Sequence, residues 1–280
     1  MRTCLVASLA ILAVASAANF DDSFARNYMM PLSGAAYSDN ANACVTRLGG
    51  TTVKQVTQTC DYFADKCSAV VFVIPGKNAF GLSFRGSTNV AQIVSEIEES
   101  TFSAKVPFAS GGKVSKYFND AFQKLWDNGI KEAITSTAKA HPTYTLWVTG
   151  HSLGGAVAAL AADYISSAGI HPKNQIVQYT FGEPRTGDQD YANGHDKNIG
   201  TSFRVTHSRD IVAHVPFNWM GYYHHAVEVF YDNDMSSANY KVCSGQEDHS
   251  CSGSHVDLSI DDHIHYYGKQ VSTYGINGCV

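Results

Sequence analysis

The chain has no excess of positive charge: 20 Lys and Arg stand against 25 Asp and Glu, a formal net charge of −5 with histidine neutral. That excludes a strongly basic nucleic-acid surface. It also excludes a general pull toward anionic lipid, so any membrane contact should be apolar and local. There is no N-x-S/T sequon, and N-glycosylation is not expected. Internal repeats and low-complexity tracts are missing. So, past the first residues, is any apolar run long enough to cross a bilayer as a helix. The cysteines lack the paired C-x-x-C or Cys/His spacing of zinc motifs, and no metal or organic cofactor is expected.

What the N-terminus does have is Arg2, a short apolar run from Leu5 to Val14, and the small residues Ala15-Ser16-Ala17. This is the pattern of a secretory signal peptide over 1–17, cut near Ala17-Ala18, which leaves 18–280 as one soluble, exported domain. Cys4 would leave with the signal. Cys44, Cys60, Cys67, Cys243, Cys251 and Cys279 remain, an even number that suits an oxidising compartment and three disulfides. Six cysteines can pair in fifteen ways. Cys60–Cys67 and Cys243–Cys251 are close enough for local loops, which leaves Cys44 with Cys279. That bond would tie the two ends of the domain together and contribute most to stability.

The most informative segment is Gly150-His151-Ser152-Leu153-Gly154-Gly155. It ends the apolar run Tyr144–Thr149 and opens the small-residue helical run Ala156–Ala162. Strand, G-x-S-x-G, helix is the setting of a nucleophile elbow, in which the serine sits on a sharp turn and projects its hydroxyl. Elsewhere, Phe20–Ala36 is expected to be helical with a break at Pro31. Ala69–Ile74 and Ala79–Phe84 are expected to be neighbouring strands around Pro75-Gly76-Lys77-Asn78. Val114–Ala140 should be a long helix interrupted at Asn128-Gly129. Further strands are expected at Ile176–Phe181, Ser202–Thr206 and Ala226–Tyr231. The order indicates one α/β domain, a central sheet flanked by helices.

A serine hydroxyl is a poor nucleophile at neutral pH. It needs a histidine to take its proton and an acid to hold that histidine. In chain order the acid should follow the serine and the histidine should come last. Asp210 lies directly after the strand-like Ser202–Thr206 and is favoured over Asp188 and Asp190. The 12 histidines are harder to separate. His151 is beside the serine but should point elsewhere on the elbow, His207, His214, His224 and His225 lie too near the acid-bearing segment to be chosen by pattern, and His263 and His265 share one late loop.

Several blocks in order resemble the secreted fungal-type class 3 lipases, a family that also contains feruloyl esterases. They are Ser83-Phe84-Arg85-Gly86-Ser87, Val148–Ala156, Thr180-Phe181-Gly182-Glu183-Pro184-Arg185, Arg209-Asp210-Ile211-Val212, His225–Tyr231, and Asp262-His263 with Tyr266-Tyr267-Gly268. The cysteine pattern resembles that of the family's three-disulfide members. The resemblance implies an α/β-hydrolase fold with Ser152, Asp210 and His263 as catalytic triad. It places Ser87 at the oxyanion hole, with the backbone N–H of Leu153 as second donor. Arg85, Glu183 and Arg185 would be structural.

The family carries an amphipathic lid after the oxyanion loop, here at about 88–102. Val90, Ile93, Val94 and Ile97 share one helical face, and Gln92, Ser95, Glu96, Glu98 and Glu99 make the other. Such a lid would meet a lipid–water interface. The expected activity is triacylglycerol hydrolysis by an exported monomer with an acylglycerol or other ester as substrate. A feruloyl or soluble-ester esterase, or a phospholipase, is the alternative on the same scaffold. An inactive lipid-binding protein is the remote one, since it should have lost a triad member.

Overall fold

Alternation inside short apolar runs builds the middle of the molecule. In Thr145–His151, Leu146 and Val148 turn to one face and Trp147 to the other, and all three are buried. A strand covered on both faces belongs inside a sheet with helices on each side. The computed structural model describes residues 19–60, 66–87 and 104–280. The expected signal peptide and the expected lid, with Val90, Ile93, Val94 and Ile97, lie outside the described residues.

Eight strands form the central sheet in sequential order: β1 (Thr51–Thr59), β2 (Lys66–Ile74), β3 (Ala79–Phe84), β4 (Thr145–His151), β5 (Ile176–Phe181), β6 (Thr201–His207), β7 (Glu228–Tyr231) and β8 (Lys241–Cys243). The strands from β3 to β7 pair in parallel. The pairs β1–β2, β2–β3 and β7–β8 are antiparallel. The expected β2 and β3 form a hairpin over Pro75–Lys77, with Asn78 left-handed at φ 48°.

Helices cover the two faces. On one lie α2 (Lys116–Leu125), α3 (Lys131–Ala140) and α4 (Leu153–Ser167), whose Phe118, Phe122, Ile134, Val157 and Leu160 meet Phe80, Leu82, Phe84, Leu146 and Val148. On the other lie α1 (Met30–Ala35) and, near the C-terminus, α7 (Val271–Ile276). Met29, Leu32, Tyr37 and Val271 pack there with Phe72, Trp147, Phe181 and Val205. A polar helix, α5 (Gln189–Asn198), and a single-turn helix, α6 (Ile260–Ile264), complete the elements used below.

Pro31 does not break its helix. A π-turn over Ala25–Met29 feeds directly into α1, which carries Pro31 at its start, and the helical backbone continues through it. The long helix begins at Lys116 rather than Val114, because Lys113–Ser115 pairs with Lys105–Pro107 as a small ribbon. Its interruption falls where expected, with Gly129 at φ 117° between α2 and α3. The last expected strand starts at Glu228 instead of Ala226. Cys44–Cys279, Cys60–Cys67 and Cys243–Cys251 are all bonded.

Candidate active site

The chain leaves β4 and enters α4 within one residue, and Ser152 takes that corner at φ 61°, ψ −136°. A side-chain-bearing residue at positive φ is strained, and such strain gathers where a group must be held in one place. Two glycines make the corner passable. A Cβ on Gly150 would collide with the carbonyl of Gly154, and one on Gly154 would collide with the carbonyl of Phe84. Helix and strand therefore approach more closely than any other residue allows. The Ser152 N–H is held by Phe181 O at 2.9 Å, and its buried Oγ has no hydrogen-bond partner among the described residues.

The acid and the base come from two later segments that the backbone ties together. Ser259 N donates to Arg209 O at 2.7 Å and Ile211 N to Ser259 O at 3.2 Å, so the loop after β6 runs beside the start of α6. Ser259 also caps α6 by accepting from Asp262 N at 3.0 Å. His263 in α6 then meets Asp210, its Nδ1 lying 2.8 Å from Oδ1 and 3.0 Å from Oδ2. Both side chains are fully buried. A carboxylate can only accept, so Nδ1 carries the proton and Nε2 is left as the acceptor. His263 Nε2 is buried and, among the described residues, unpartnered, like Ser152 Oγ.

Asp210 is saturated from other sides. Tyr266 Oη donates to Oδ2 at 2.7 Å and the Val212 N–H to Oδ1 at 2.8 Å. Burial pushes its pKa up, but the charge and hydrogen bond of His263, with the Tyr266 and Val212 donors, hold it at about 2. Gly182, at φ +57°, passes so close that a Cβ there would lie 2.6 Å from Asp210 Oδ2 and 2.7 Å from His263 Nδ1.

His151 is the residue whose role the sequence did not reveal. Its ring stacks on His263 with centroids 4.6 Å apart. Its Nε2 lies 2.8 Å from the His263 carbonyl, which can only accept, so Nε2 is protonated and Nδ1 accepts from Tyr37 Oη at 2.8 Å. Burial, and then the neighbouring His263, lower its pKa to about 3, so it stays neutral. The Tyr37–His151 chain fixes the backbone of His263 from behind. Nothing in the sequence pattern links these positions, which meet only in the fold.

Ser87 is buried in the loop after β3 and lines, with Leu153, Arg85 and Tyr117, a recess of about 20 Å³. Gly86 brings that loop onto the elbow, since a Cβ there would lie 2.8 Å from Ser152 Cβ. Two candidate oxyanion donors thus border the nucleophile. The rejected acids have other work: Asp188 caps α5 through Tyr191 N at 2.9 Å, and Asp190 sits in its first turn. His265 is partly exposed and paired with Asp261 at 3.2 Å. Arg185 is held by Glu247 at 2.8 Å, and Glu183 by Thr180 and His225.

The family described as lipase (class 3) matches residues 81–220. A lipase of Caenorhabditis elegans is 29% identical over 94% of this chain and 83% of its own length. A secreted mono- and diacylglycerol lipase of Fusarium solani is 35% identical over 66% of this chain, which spans 55% of that relative. A solved triacylglycerol lipase, its catalytic centre described as a serine protease triad, superposes with a TM-score of 0.76 at 28% identity. It covers 88% of this chain and 94% of its own.

Proposed function

The chain belongs to the class 3 lipase family, and from that premise we propose that it is an exported triacylglycerol lipase working through Ser152, His263 and Asp210. It is a lipase-type ester hydrolase; the finer assignment rests on the site. The observation that carries it is the buried Asp210–His263 pair, closed on the carboxylate side at 2.8 Å and open at Nε2, beside a serine held at positive φ.

Ser152 Oγ attacks the ester carbonyl as His263 Nε2 takes its proton. Asp210 holds the imidazole in the tautomer that leaves Nε2 free and stabilises the cation that forms. The Ser87 side chain and the Leu153 N–H receive the oxyanion, each such donor being worth about 10²–10³ in rate. His263 returns the proton to the departing alcohol, leaving an acyl group on Ser152. Water, deprotonated by the same nitrogen, then releases the fatty acid. The gap between Ser152 Oγ and His263 Nε2 is expected to close when substrate binds.

The apolar stripe Val90, Ile93, Val94 and Ile97 supports a lid that meets lipid, and the N-terminal pattern with three disulfides supports export. The test is tributyrin hydrolysis followed across the substrate's solubility limit, with Ser152→Ala as blank. A rate jump when droplets appear is the expected result. Smooth saturation would replace the lipase with an esterase of soluble or feruloyl esters. Inactivity on both sides of the limit would leave a lipid-binding protein.

A further inference from the structure

A cavity of about 270 Å³ lies between the turn Asn218–Met220 and the loop closed by Cys243–Cys251. One wall is aromatic. The rings of Phe217 and Trp219 are near-parallel, at 13°, with centroids 5.9 Å apart, and Trp219 is 71% exposed. Their turn is anchored. Lys105 Nζ donates to Met220 O and to Gly221 O at 2.8 Å each, and Asn218 Nδ2 to Tyr222 O at 3.0 Å.

The opposite lining is acidic. Glu228, at the start of β7, is only 5% exposed. Its Oε1 accepts from Thr206 Oγ1 at 2.6 Å and from Ser252 N at 3.2 Å. Its Oε2 has no hydrogen bond or ion pair among the described residues. A buried carboxylate oxygen left this way is costly unless a positive group meets it. Asp248 adds a second carboxylate, held below its usual pKa by hydrogen bonds from Ser250 and paired with no cation among the described residues. The guanidinium in the lining, Arg185, is already occupied by Glu247 and by the carbonyls of His214 and Pro216. Burial keeps His224 neutral.

We propose that this cavity binds a small organic ammonium ion, free or carried as a lipid headgroup. Such an ion brings the charge that Glu228 and Asp248 lack. Its methyl or methylene groups lie against the aromatic faces, which attract a cation above the ring. The two carboxylates repel an anion. A sugar would stack as well, but it asks the wall for donors, and those of Arg185 are taken. Neither Ser152, His263 nor Ser87 lines the cavity, so the site goes beyond ester hydrolysis and does not rest on it.

The test titrates choline into the mature chain with its disulfides intact, read by calorimetry and by tryptophan emission. Trp126 and Trp147 are buried, so an emission change reports Trp219. Saturable binding at millimolar choline or below is expected, with the neutral isostere 3,3-dimethylbutanol roughly tenfold weaker or more. Trp219→Ala should weaken choline about five- to thirtyfold, and Glu228→Gln about tenfold or more. If Glu228→Gln does not fold, Asp248→Asn and Trp219→Ala decide. Vesicle pull-down, with Ser152→Ala present to stop turnover, separates the two sources. Trp219-dependent retention on phosphatidylcholine but not on phosphatidylglycerol marks a headgroup site, and binding of free choline alone marks a soluble ammonium ion. No choline binding, equal binding of the neutral isostere, or equal binding by the wild type and Trp219→Ala would overturn the site.

Discussion

Among the described residues, two buried histidine–carboxylate pairs stand out, and they differ at one ring nitrogen. His263 meets Asp210 at 2.8 Å and His225 meets Glu183 at 3.0 Å, with all four side chains at most 1% exposed. Each carboxylate is further satisfied, Asp210 by Tyr266 and Val212, Glu183 by the hydroxyls of Thr180 and Thr186. The difference is at the far ring nitrogen. That of His225 is spent on Ala226 O at 2.9 Å, whereas that of His263, like Ser152 Oγ, is buried without a hydrogen-bond partner among the described residues. A buried pair alone is therefore a poor sign of catalysis. An unspent nitrogen next to a strained nucleophile is a good one.

The comparison breaks most sharply at the nucleophile. Ser152→Ala is expected to remove ester hydrolysis by a factor near ~10⁶ with the thermal midpoint almost unmoved. Retained turnover would show that the open nitrogen faces nothing useful. Asp210→Asn should cost about 10⁴ in kcat by admitting the wrong tautomer of His263, measured on a soluble ester. His265→Ala, on the same loop, should leave kcat alone.

Glu183→Gln tests the other pair, and its effect should appear in stability instead. Leaving His225 buried without its counter-charge is expected to cost roughly 3 kcal/mol, read by denaturant unfolding, with kcat per folded molecule retained. It also has a pH signature. Burial opposes the His225 cation, but Glu183 overrides it and raises the pKa above the usual histidine value. The pair's stabilisation is then complete below about pH 6.5 and lost as pH rises through the raised value. The wild-type midpoint should decline over that window, and Glu183→Gln should flatten the decline.

The smallest effect is expected from Tyr266→Phe, which removes one donor from Asp210. The stability that Asp210 supplies is present above about pH 4 and lost as pH falls toward its folded value of about 2. Without Tyr266 that folded value should rise, and acid unfolding should begin at higher pH by an amount matching about 1.5–3 kcal/mol at most. An unchanged acid limb would mean that the Tyr266 hydroxyl contributes packing only.

Much of this site was legible because its parts travel in short blocks. The elbow is six consecutive residues, the parallel strands β3 to β5 are largely apolar runs of the right length, and β6 alternates. The resemblance separated His263 from His265, and the structure brings Asp210 to His263. What was illegible depends on contacts between distant segments. Tyr37 and His151 are 114 residues apart. The edge strand β1, Thr51–Thr59, carries Lys54 and four threonines and is mostly exposed, so its alternation is faint. The helix α5 contains Gly194 and few apolar residues, and it is held by its Asp188 cap and by buried Tyr191 and His195 rather than by an apolar stripe.

The bond between Cys44 and Cys279 spans 235 residues. Its second sulfur is made only after every strand of the sheet has been synthesised. The two short-loop bridges need only 7 and 8 residues of chain to close, whereas this one needs both ends of the domain. A chain that lacks Cys279 would leave the Cys44 thiol unpaired. The longest staple of the fold thus records that its first and last segments have met.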